Sequence, residues 1–326
     1  MSQTVTGAKP VSTPTAKPAT TQFVAQDRPY IHVNGQIVPK SQAKVSVFDH
    51  GLLYGDGVFE GIRVYCGRIF LCGQHMDRLW WSAEQIRLKI HISKDEMVHV
   101  MRQCIEANEI SDGYIRLVVT RGEGTLGLNP FLCPTPGIIC IADQIRLFPK
   151  ELYDSGMRVV VAERPKTPVA CLDPRVKSLN YLNNILAKVE SIDMGLLEVI
   201  MLNLDGSVTE GSGDNIFVIK NGRMFTPPLS VGALGGITRR FVMERLAPKA
   251  GLKVVERVFG IDEVFNADEA FLTGSAAEII GLSGVIDRKS KGGKEHTLSG
   301  GKEGPITNTL RMLFRQIVTS DAVPED

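Results

Sequence analysis

The sequence predicts a two-domain α/β protein, of the mixed α+β kind, and three observations support this fold class. The chain has 326 residues, more than one domain usually contains. Strand and helix patterns alternate along it without a visible repeat. Its composition, 43% hydrophobic and 22% charged, is that of an ordinary globular protein. We expect a disordered tail over 1–26, a small N-terminal α/β domain over 27–147 and a larger C-terminal α/β domain over 148–326, with the functional site at their interface.

The first half of the chain predicts two hairpins, two helices and two longer strands. One hairpin turns at Asn34-Gly35, a pair that favours a two-residue turn, and the other at Cys66-Gly67. Strands are predicted at 114–120 and 137–142, and an interdomain linker at 143–149. Apolar residues at helical spacing predict the two helices, the first through Met76, Leu79, Trp80, Ala83, Ile86 and Ile90, the second through Met97, Val100, Met101 and Ile105.

The second half predicts five strands and three helices before a last helix. A segment rich in Lys, Gly and Ser, residues 287–304, predicts a loop or ragged hairpin before that last helix. The strands are expected at 158–162, 199–204, 215–219, 253–258 and 270–272, and the helices near 181–194, 238–250 and 275–281.

Composition also excludes several classes of protein. Lys+Arg 37 against Asp+Glu 36 gives a net charge of +1 without a long charge run, so nothing indicates nucleic-acid binding. No apolar segment approaches the roughly 20 residues that span a bilayer. The six cysteines form no CxxC pair and have no metal-ligand spacing with histidine. We therefore expect reduced thiols, no metal site and a cytoplasmic protein.

The N-terminal segment contains little that could be buried. Thr, Ala, Pro, Lys and Ser dominate it, which is typical of disorder. A transit peptide is the alternative, but no arginine precedes Arg28 and no apolar core like that of a signal peptide is present.

A lysine and a glutamate stand at positions that suit a Schiff-base enzyme. Lys177 precedes a helix whose apolar residues are Leu182, Ile185, Leu186 and Val189, and taken alone it would be a surface lysine. Glu210 lies among small residues between two strands, and taken alone it would be a solvated loop acid. Together they can hold a carbonyl cofactor covalently and keep its ring nitrogen protonated.

Two later segments predict anion-binding turns at the starts of helices. Gly235-Gly236-Ile237-Thr238 precedes one predicted helix, and Ser275-Ala276-Ala277 begins another. Free first-turn N–H groups and the helix dipole favour a phosphate there, although each segment alone is weak evidence. With Lys177 and Glu210 these segments indicate a pyridoxal 5'-phosphate site. The glycines at 211–213 lack the spacing of nucleotide-binding loops.

Tyr114 and Arg116 are two residues apart on one predicted strand and therefore share a face. Ile115, Leu117 and Val119 point to the opposite face, toward the core. From the pattern alone, a substrate carboxylate and a surface ion pair are equally good partners for Arg116.

Six motifs occur in order along the chain: Tyr54–Arg63, His75–Leu79, Lys177–Tyr181, Thr209–Gly211, Gly235–Arg239 and Gly274–Glu278. Together they resemble the branched-chain aminotransferases. That family belongs to the fold-type IV pyridoxal-phosphate group, with D-amino acid aminotransferase and aminodeoxychorismate lyase. The resemblance spans roughly residues 28–318 and leaves out the N-terminal tail.

The resemblance implies a role for each matching residue. Lys177 is expected to be the catalytic lysine that binds the cofactor, Glu210 the partner of its ring nitrogen and Tyr181 the partner of its 3′ oxygen. Tyr54 is expected to reach the pocket of a second subunit across a dimer interface. The other cofactor ligands implied are Arg78, Gly236, Ile237, Thr238 and Ser275, and the substrate pocket implied is Tyr54, Phe59, Gly61, Arg63, Tyr114, Arg116, Ser275 and Ala276.

The implied reaction moves an amino group from leucine, isoleucine or valine to 2-oxoglutarate, which gives a branched 2-oxo acid and glutamate. The implied assembly is a homodimer or a multiple of it. Two features are closer to the D-amino acid enzymes: the Lys177–Tyr181 spacing and Asp56-Gly57. Tyr114-Ile115-Arg116 is the branched-chain form. The alternatives are therefore D-amino acid transamination or aminodeoxychorismate cleavage on the same fold and, further away, a non-catalytic phosphate-binding protein.

Overall fold

The first half of the chain forms a six-stranded antiparallel sheet with strand order β2-β1-β6-β5-β3-β4. The computed structural model describes residues 29–144, 148–290, 293–320 and 323–325. The predicted tail lies outside these ranges, as does part of the predicted linker. The strands are β1 (Tyr30–Val33), β2 (Gln36–Pro39), β3 (Gly57–Tyr65), β4 (Arg68–Ile69), β5 (Gly113–Thr120) and β6 (Gly137–Asp143).

Two amphipathic helices cover one face of this sheet. They are α2 (Cys72–Gln85) and α3 (Lys94–Ala107), and the short α1 (His50–Tyr54) precedes β3. Ile115, Leu117 and Val119 of β5 are fully buried in the core beneath α2 and α3. The alternation of β5 therefore turns Tyr114 and Arg116 to the opposite face of the sheet.

The second half forms a nine-stranded mixed sheet, ordered β12-β11-β10-β13-β14-β7-β8-β9, with β15 paired to β14. The pairs β11–β12, β14–β7 and β7–β8 are parallel and the others antiparallel, as the prediction of a mixed fold requires. Its strands are β7 (Met157–Val161), β8 (Val199–Leu202), β9 (Val208–Glu210), β10 (Asn215–Lys220), β11 (Arg223–Thr226), β12 (Val254–Glu256), β13 (Glu269–Gly274), β14 (Glu278–Asp287) and β15 (Lys294–Thr297).

Helices connect and cover these strands. They are α4 (Lys150–Ser155), α5 (Leu182–Asp193), α6 (Ile237–Phe241), α7 (Ala247–Lys249), α8 (Ile261–Phe265) and α9 (Pro305–Val318). A π-helical turn, Val242–Leu246, joins α6 to α7, so the predicted helix over 238–250 is present with one irregular turn.

The helix predicted over 275–281 is wrong. Residues 275–277 form a turn, and Glu278 begins the ten-residue strand β14. A continuous apolar run suits a helix or a strand buried on both faces, and here it is the strand between β13 and β7. Ser275, Ala276 and Ala277 therefore present the N–H groups of a β-turn.

The other predicted strands and helices are present with small changes of boundary. Both hairpins are present, and β15 pairs with β14 where a ragged hairpin was expected. The first helix ends at Gln85 because the chain reverses at Arg87, whose φ is 56°, although Ile86 and Ile90 still pack against its core.

The apolar side of α5 does not pack into the protein core. Leu182 is 66% exposed and Ile185 54% exposed, and Leu186 and Val189 are also exposed. The helical period was correct, but periodicity alone does not show what covers a face.

Candidate active site

Backbone pairing fixes Lys177 at the edge of the first sheet. Phe59 N–H donates to the Lys177 carbonyl at 3.0 Å, and Leu179 N–H donates to Gly57 at 2.9 Å. Val58 and Ser178 form an antiparallel bridge between these contacts. The segment around Lys177 therefore pairs alongside the start of β3, next to Phe59.

The Lys177 amine lies among aromatic rings. Its Nζ is 3.2 Å from the Tyr181 hydroxyl and 4.6 Å from the centroid of the Phe59 ring. Burial, and then the nearby Arg78 guanidinium, lowers the pKa of Lys177 to about 8. Burial also raises the pKa of Tyr181 to about 12, and the Glu210 carboxylate adds to that shift. Lys177 can therefore supply a neutral amine near neutral pH.

Glu210 is held by three donors. Oε1 accepts from the Lys166 ammonium at 2.5 Å, and Oε2 accepts from Asn215 Nδ2 and Leu234 N–H, both at 2.9 Å. The Lys166 partner was missed at the sequence level, since a single lysine in a loop has no pattern that marks it. Asn215 Nδ2 also donates to the Leu234 carbonyl, which connects Glu210 to the loop before α6.

Arg78 reaches that same loop from α2. Its Nη1 donates to the Gly235 carbonyl at 2.9 Å, while Nε and Nη2 donate to the two carboxylate oxygens of Glu60 at 2.7 and 2.6 Å. Although burial opposes ionisation, Arg78 and then His75 hold the pKa of Glu60 well below its usual value. Glu60 was also missed. It lies inside a buried strand, and its partner Arg78 comes from a helix, so the sequence pattern does not show that the two side chains meet.

The start of α6 is tightly packed. Ile237 and Thr238 are buried, and the first-turn N–H groups of a helix have no intrahelical partner. A Cβ on Gly236 would lie 2.0 Å from Asn215 Oδ1, so this position requires glycine. These contacts bring Lys177, Tyr181, Arg78, Glu210 and the start of α6 together, and their roles remain a prediction.

The substrate side is built from β3 and β5. The Arg116 guanidinium carbon lies 4.7 Å from the Phe59 ring centroid, and Arg116 Nη2 donates to the Tyr114 hydroxyl at 3.4 Å. A Cβ on Gly61 would lie 1.7 Å from the Tyr114 hydroxyl, so glycine is needed beneath the tyrosine. Phe59, Gly61, Tyr114 and Arg116 form one wall, and the Lys177 amine also contacts the Phe59 ring of that wall.

Arg63 lies on the same strand face but already has acidic partners. Its Nη2 is 2.6 Å from Asp112 and 3.9 Å from Glu278. Its charge is therefore compensated inside the protein. Within the described ranges no ion pair joins Arg116 to a carboxylate, so Arg116 is the better candidate for a substrate acid.

The turn 275–277 faces a second acid. A Cβ on Gly274 would lie 2.0 Å from Asp214 Oδ1, and the Tyr153 hydroxyl donates to the Ala277 carbonyl at 3.2 Å. Burial, and then the neighbouring Glu198, raises the pKa of Asp214 to about 7. The turn that contains Ser275 and Ala276 is thus fixed by contacts on both sides.

Tyr54 is not part of this cluster within one chain. Its ring is exposed on α1, and its hydroxyl donates to the Leu126 carbonyl at 2.6 Å.

Comparison with known proteins identifies the family of this chain. Residues 57–285 match the family model described as amino-transferase class IV. The chain belongs to the class IV aminotransferases. A Methanocaldococcus jannaschii protein, assigned provisionally as a branched-chain-amino-acid aminotransferase, is 44% identical over 289 residues, which is 89% of this chain and 96% of that protein. The aminodeoxychorismate lyase of Bacillus subtilis is 33% identical over 288 residues, 88% of this chain and 94% of the lyase.

Solved structures show the same fold. The branched-chain amino acid aminotransferase of Escherichia coli superposes with a TM-score of 0.84 at 32% identity, covering 91% of this chain and 96% of that one. The branched-chain amino acid aminotransferase of Thermobaculum terrenum, solved in its PLP (holo) form, gives 0.78 at 29% identity, covering 90% of this chain and 95% of that one. The predictions of a fold-type IV aminotransferase and of its family are confirmed.

The residues of this aminotransferase fit pyridoxal phosphate. Within the described residues, Lys177 has no carboxylate in ion-pair contact, and three donors leave one side of the Glu210 carboxylate open. The buried Thr273 hydroxyl has no hydrogen-bond partner. Over the same ranges no helix is long and apolar enough to cross a membrane, and no cluster of three or more His, Cys, Asp or Glu could hold a metal ion.

Proposed function

We propose that this aminotransferase transfers the amino group of leucine, isoleucine or valine to 2-oxoglutarate, at the site around Lys177, with pyridoxal phosphate as cofactor. The observation that supports this most strongly is the position of the Lys177 amine. The amine contacts the Tyr181 hydroxyl, which is itself influenced by the Glu210 carboxylate. It also contacts Phe59, which belongs to the wall formed with Tyr114 and Arg116.

The proposed cofactor contacts follow from the donors and acceptors in place. Lys177 holds the cofactor covalently through Nζ, Glu210 accepts from its ring nitrogen and Tyr181 donates to its 3′ oxygen. When bound, the cofactor supplies an electron-withdrawing ring that stabilises the charge left on the substrate Cα after its proton leaves. Its phosphate is held by Arg78 and Ser275 and by the start of α6, Gly236, Ile237 and Thr238.

Lys177 moves the proton. With a pKa of about 8, its amine is neutral often enough near neutral pH to take a proton from the substrate Cα as general base. As general acid it would then deliver that proton to C4′ of the cofactor, which completes the transfer of the amino group. Tyr181, whose pKa is raised to about 12, keeps its hydroxyl proton throughout this range and orients the amine.

The substrate wall suits two kinds of side chain. The rings of Phe59 and Tyr114 offer apolar surface to a branched side chain, and Arg116 offers a guanidinium to the distal carboxylate of glutamate or 2-oxoglutarate. Arg63 lines the same pocket and is neutralised by Asp112. The N–H groups of Ser275 and Ala276 bind the substrate α-carboxylate.

We also propose that the chain works as a homodimer or a multiple of it, in the cytoplasm, with domains 27–147 and 148–326. Exposed apolar residues surround Tyr54 on α1 and on the loop to which its hydroxyl is bonded, and a second copy would cover them. Leu52 is 63% exposed, Leu126 69% and Leu128 80%. Light scattering should give at least twice the 35.7 kDa chain mass, and Leu128→Glu should lower it. A monomeric wild-type protein would contradict this arrangement.

The reaction is tested by half-reactions. Enzyme loaded with pyridoxal phosphate is mixed with L-leucine, L-isoleucine, L-valine, D-alanine or aminodeoxychorismate, and the cofactor absorbance is followed. Rapid conversion by the branched L-amino acids, reversed by 2-oxoglutarate, is expected. Conversion by D-alanine alone would assign the D-amino acid reaction, and pyruvate released from aminodeoxychorismate would assign the lyase reaction.

A further inference from the structure

Lys166 is a buried cation, and over the part of the chain that the structure describes Glu210 is its single side-chain partner of opposite charge. Lys166 is 3% exposed and Glu210 5% exposed, and their charged atoms are 2.5 Å apart. Burying two charges is costly unless their geometry is good and further hydrogen bonds satisfy them. Such a pair away from solvent therefore requires an explanation beyond general stability.

The second sheet fixes both members of this pair. Lys166 N–H donates to the Leu202 carbonyl at 2.8 Å at the end of β8, and Met201 of β8 is paired with Glu210 of β9. The backbones of Lys166 and Glu210 are thus both hydrogen-bonded or paired to neighbouring residues of β8. Although Lys166 lies in a loop, this backbone hydrogen bond holds it beside Glu210.

The remaining bonds of Glu210 define its orientation. Asn215 and the Leu234 N–H occupy Oε2, and Lys166 occupies Oε1. A carboxylate has about four acceptor positions, so one is left for the cofactor ring. Lys166, Tyr181 and Glu210 line the same small cavity, together with Asp173. Two more acids act on this region through their charge, Glu60 on Tyr181 and Asp214 in its interaction with Glu210.

We propose that Lys166 is a positioning residue that acts through Glu210, holding its carboxylate ionised so that the shared proton stays on the ring nitrogen of the cofactor. This inference rests on the proposed cofactor contacts. Lys166 is in contact with Glu210, whereas the cofactor ring would lie on the far side of that carboxylate. Because Coulomb energy falls with distance, the lysine charge stabilises the ionised carboxylate more than it destabilises the protonated ring. Without Lys166, the proton moves toward Glu210 and the ring becomes a weaker electron sink.

The test measures the ring nitrogen itself. Full-length enzyme is loaded with cofactor labelled with ¹⁵N in the ring, and its NMR shift is recorded at neutral pH for wild type, Lys166→Met, Lys166→Arg and the control Lys220→Met. Lys220 pairs with Asp268 in an exposed ion pair outside the site. Wild type, Lys166→Arg and Lys220→Met should give the shift of a protonated ring, and Lys166→Met that of an unprotonated one.

Kinetics give a second measurement. Lys166→Met should lower kcat about 10–100-fold, as removal of an outer-shell partner commonly does, with little change in KM for the amino acid. A folded Lys166→Met enzyme with the wild-type ring shift would overturn the proposal. If Lys166→Met does not fold, Lys166→Gln, which keeps a donor without the charge, gives the same test. Absence of any bound-ring signal in wild type would instead contradict the proposed cofactor site.

Discussion

Lys166 and Lys177 lie on one connection, between β7 and α5, yet their environments are opposite. Lys166 is 2.5 Å from a carboxylate. Lys177 faces aromatic rings and the positive charge of Arg78, which together with burial lowers its pKa to about 8. The comparison shows that burial alone does not decide what a lysine does. A carboxylate in contact favours the ammonium form of a buried lysine, whereas a neighbouring cation favours the neutral amine.

The two arginines of the site differ in the same way. Arg78 donates two hydrogen bonds to Glu60, whereas no carboxylate pairs with Arg116 in the described residues. The neutralised cations, Lys166 and Arg78, form the frame of the site. Lys177 and Arg116, which have no carboxylate in ion-pair contact within the described residues, are the groups proposed to act on the substrate itself, while Arg78 is proposed to bind the cofactor phosphate.

The largest effect is expected from substitution of Lys177. Lys177→Ala should lower transamination at least about 10³-fold, because it removes both the covalent attachment and the proton carrier. Turnover of L-leucine with 2-oxoglutarate, followed by glutamate formation, measures this. Lys220→Ala is the matched control and should keep wild-type turnover. Normal turnover by Lys177→Ala would mean that another residue is the catalytic lysine.

Sequence reasoning predicted the candidate lysine but not the side chains that surround it. Lys177, Glu210 and Thr238 were predicted because each lies in a motif at a turn, where local sequence and local structure coincide. Glu60 and Lys166 were missed because their roles come from contacts with Arg78 and Glu210, far away in the chain. The predicted helix at 275–281 failed for a related reason. An apolar run such as 279–282 takes its structure from β13 and β7, its neighbours in the sheet.

The second prediction concerns the free energy of unfolding and compares lysine with methionine at position 177. The folded pKa of Lys177 is about 8 against an ordinary 10.5, so the unfolded chain binds more protons between these values. Wild-type stability should therefore rise with pH across that window, and below pH 8 the full cost of burying the ammonium is present. Without cofactor, Lys177→Met should be more stable than wild type at pH 7, by on the order of 2–3 kcal/mol.

Denaturant unfolding of the cofactor-free proteins at several pH values measures this difference. It should shrink steadily as the pH approaches 10.5, because the wild-type lysine is then neutral in both states. A difference that stays constant with pH would show that the gain comes from packing of the methionine. Lys220→Met, at an exposed ion pair, should show no such dependence.

The smallest effect is expected at the substrate wall, where Arg116→Leu removes the uncompensated guanidinium. Loss of a hydrogen-bonded charge usually costs about 1.5–3 kcal/mol, so kcat/KM for glutamate and 2-oxoglutarate should fall roughly 10–100-fold. The half-reaction with L-leucine needs no distal charge and should change only a few-fold. Arg102→Leu is the control, since Arg102 is 62% exposed and pairs with Glu325 away from the site. Equal losses for leucine and glutamate would mean that Arg116 shapes the pocket as a whole, and that the distal carboxylate is bound elsewhere.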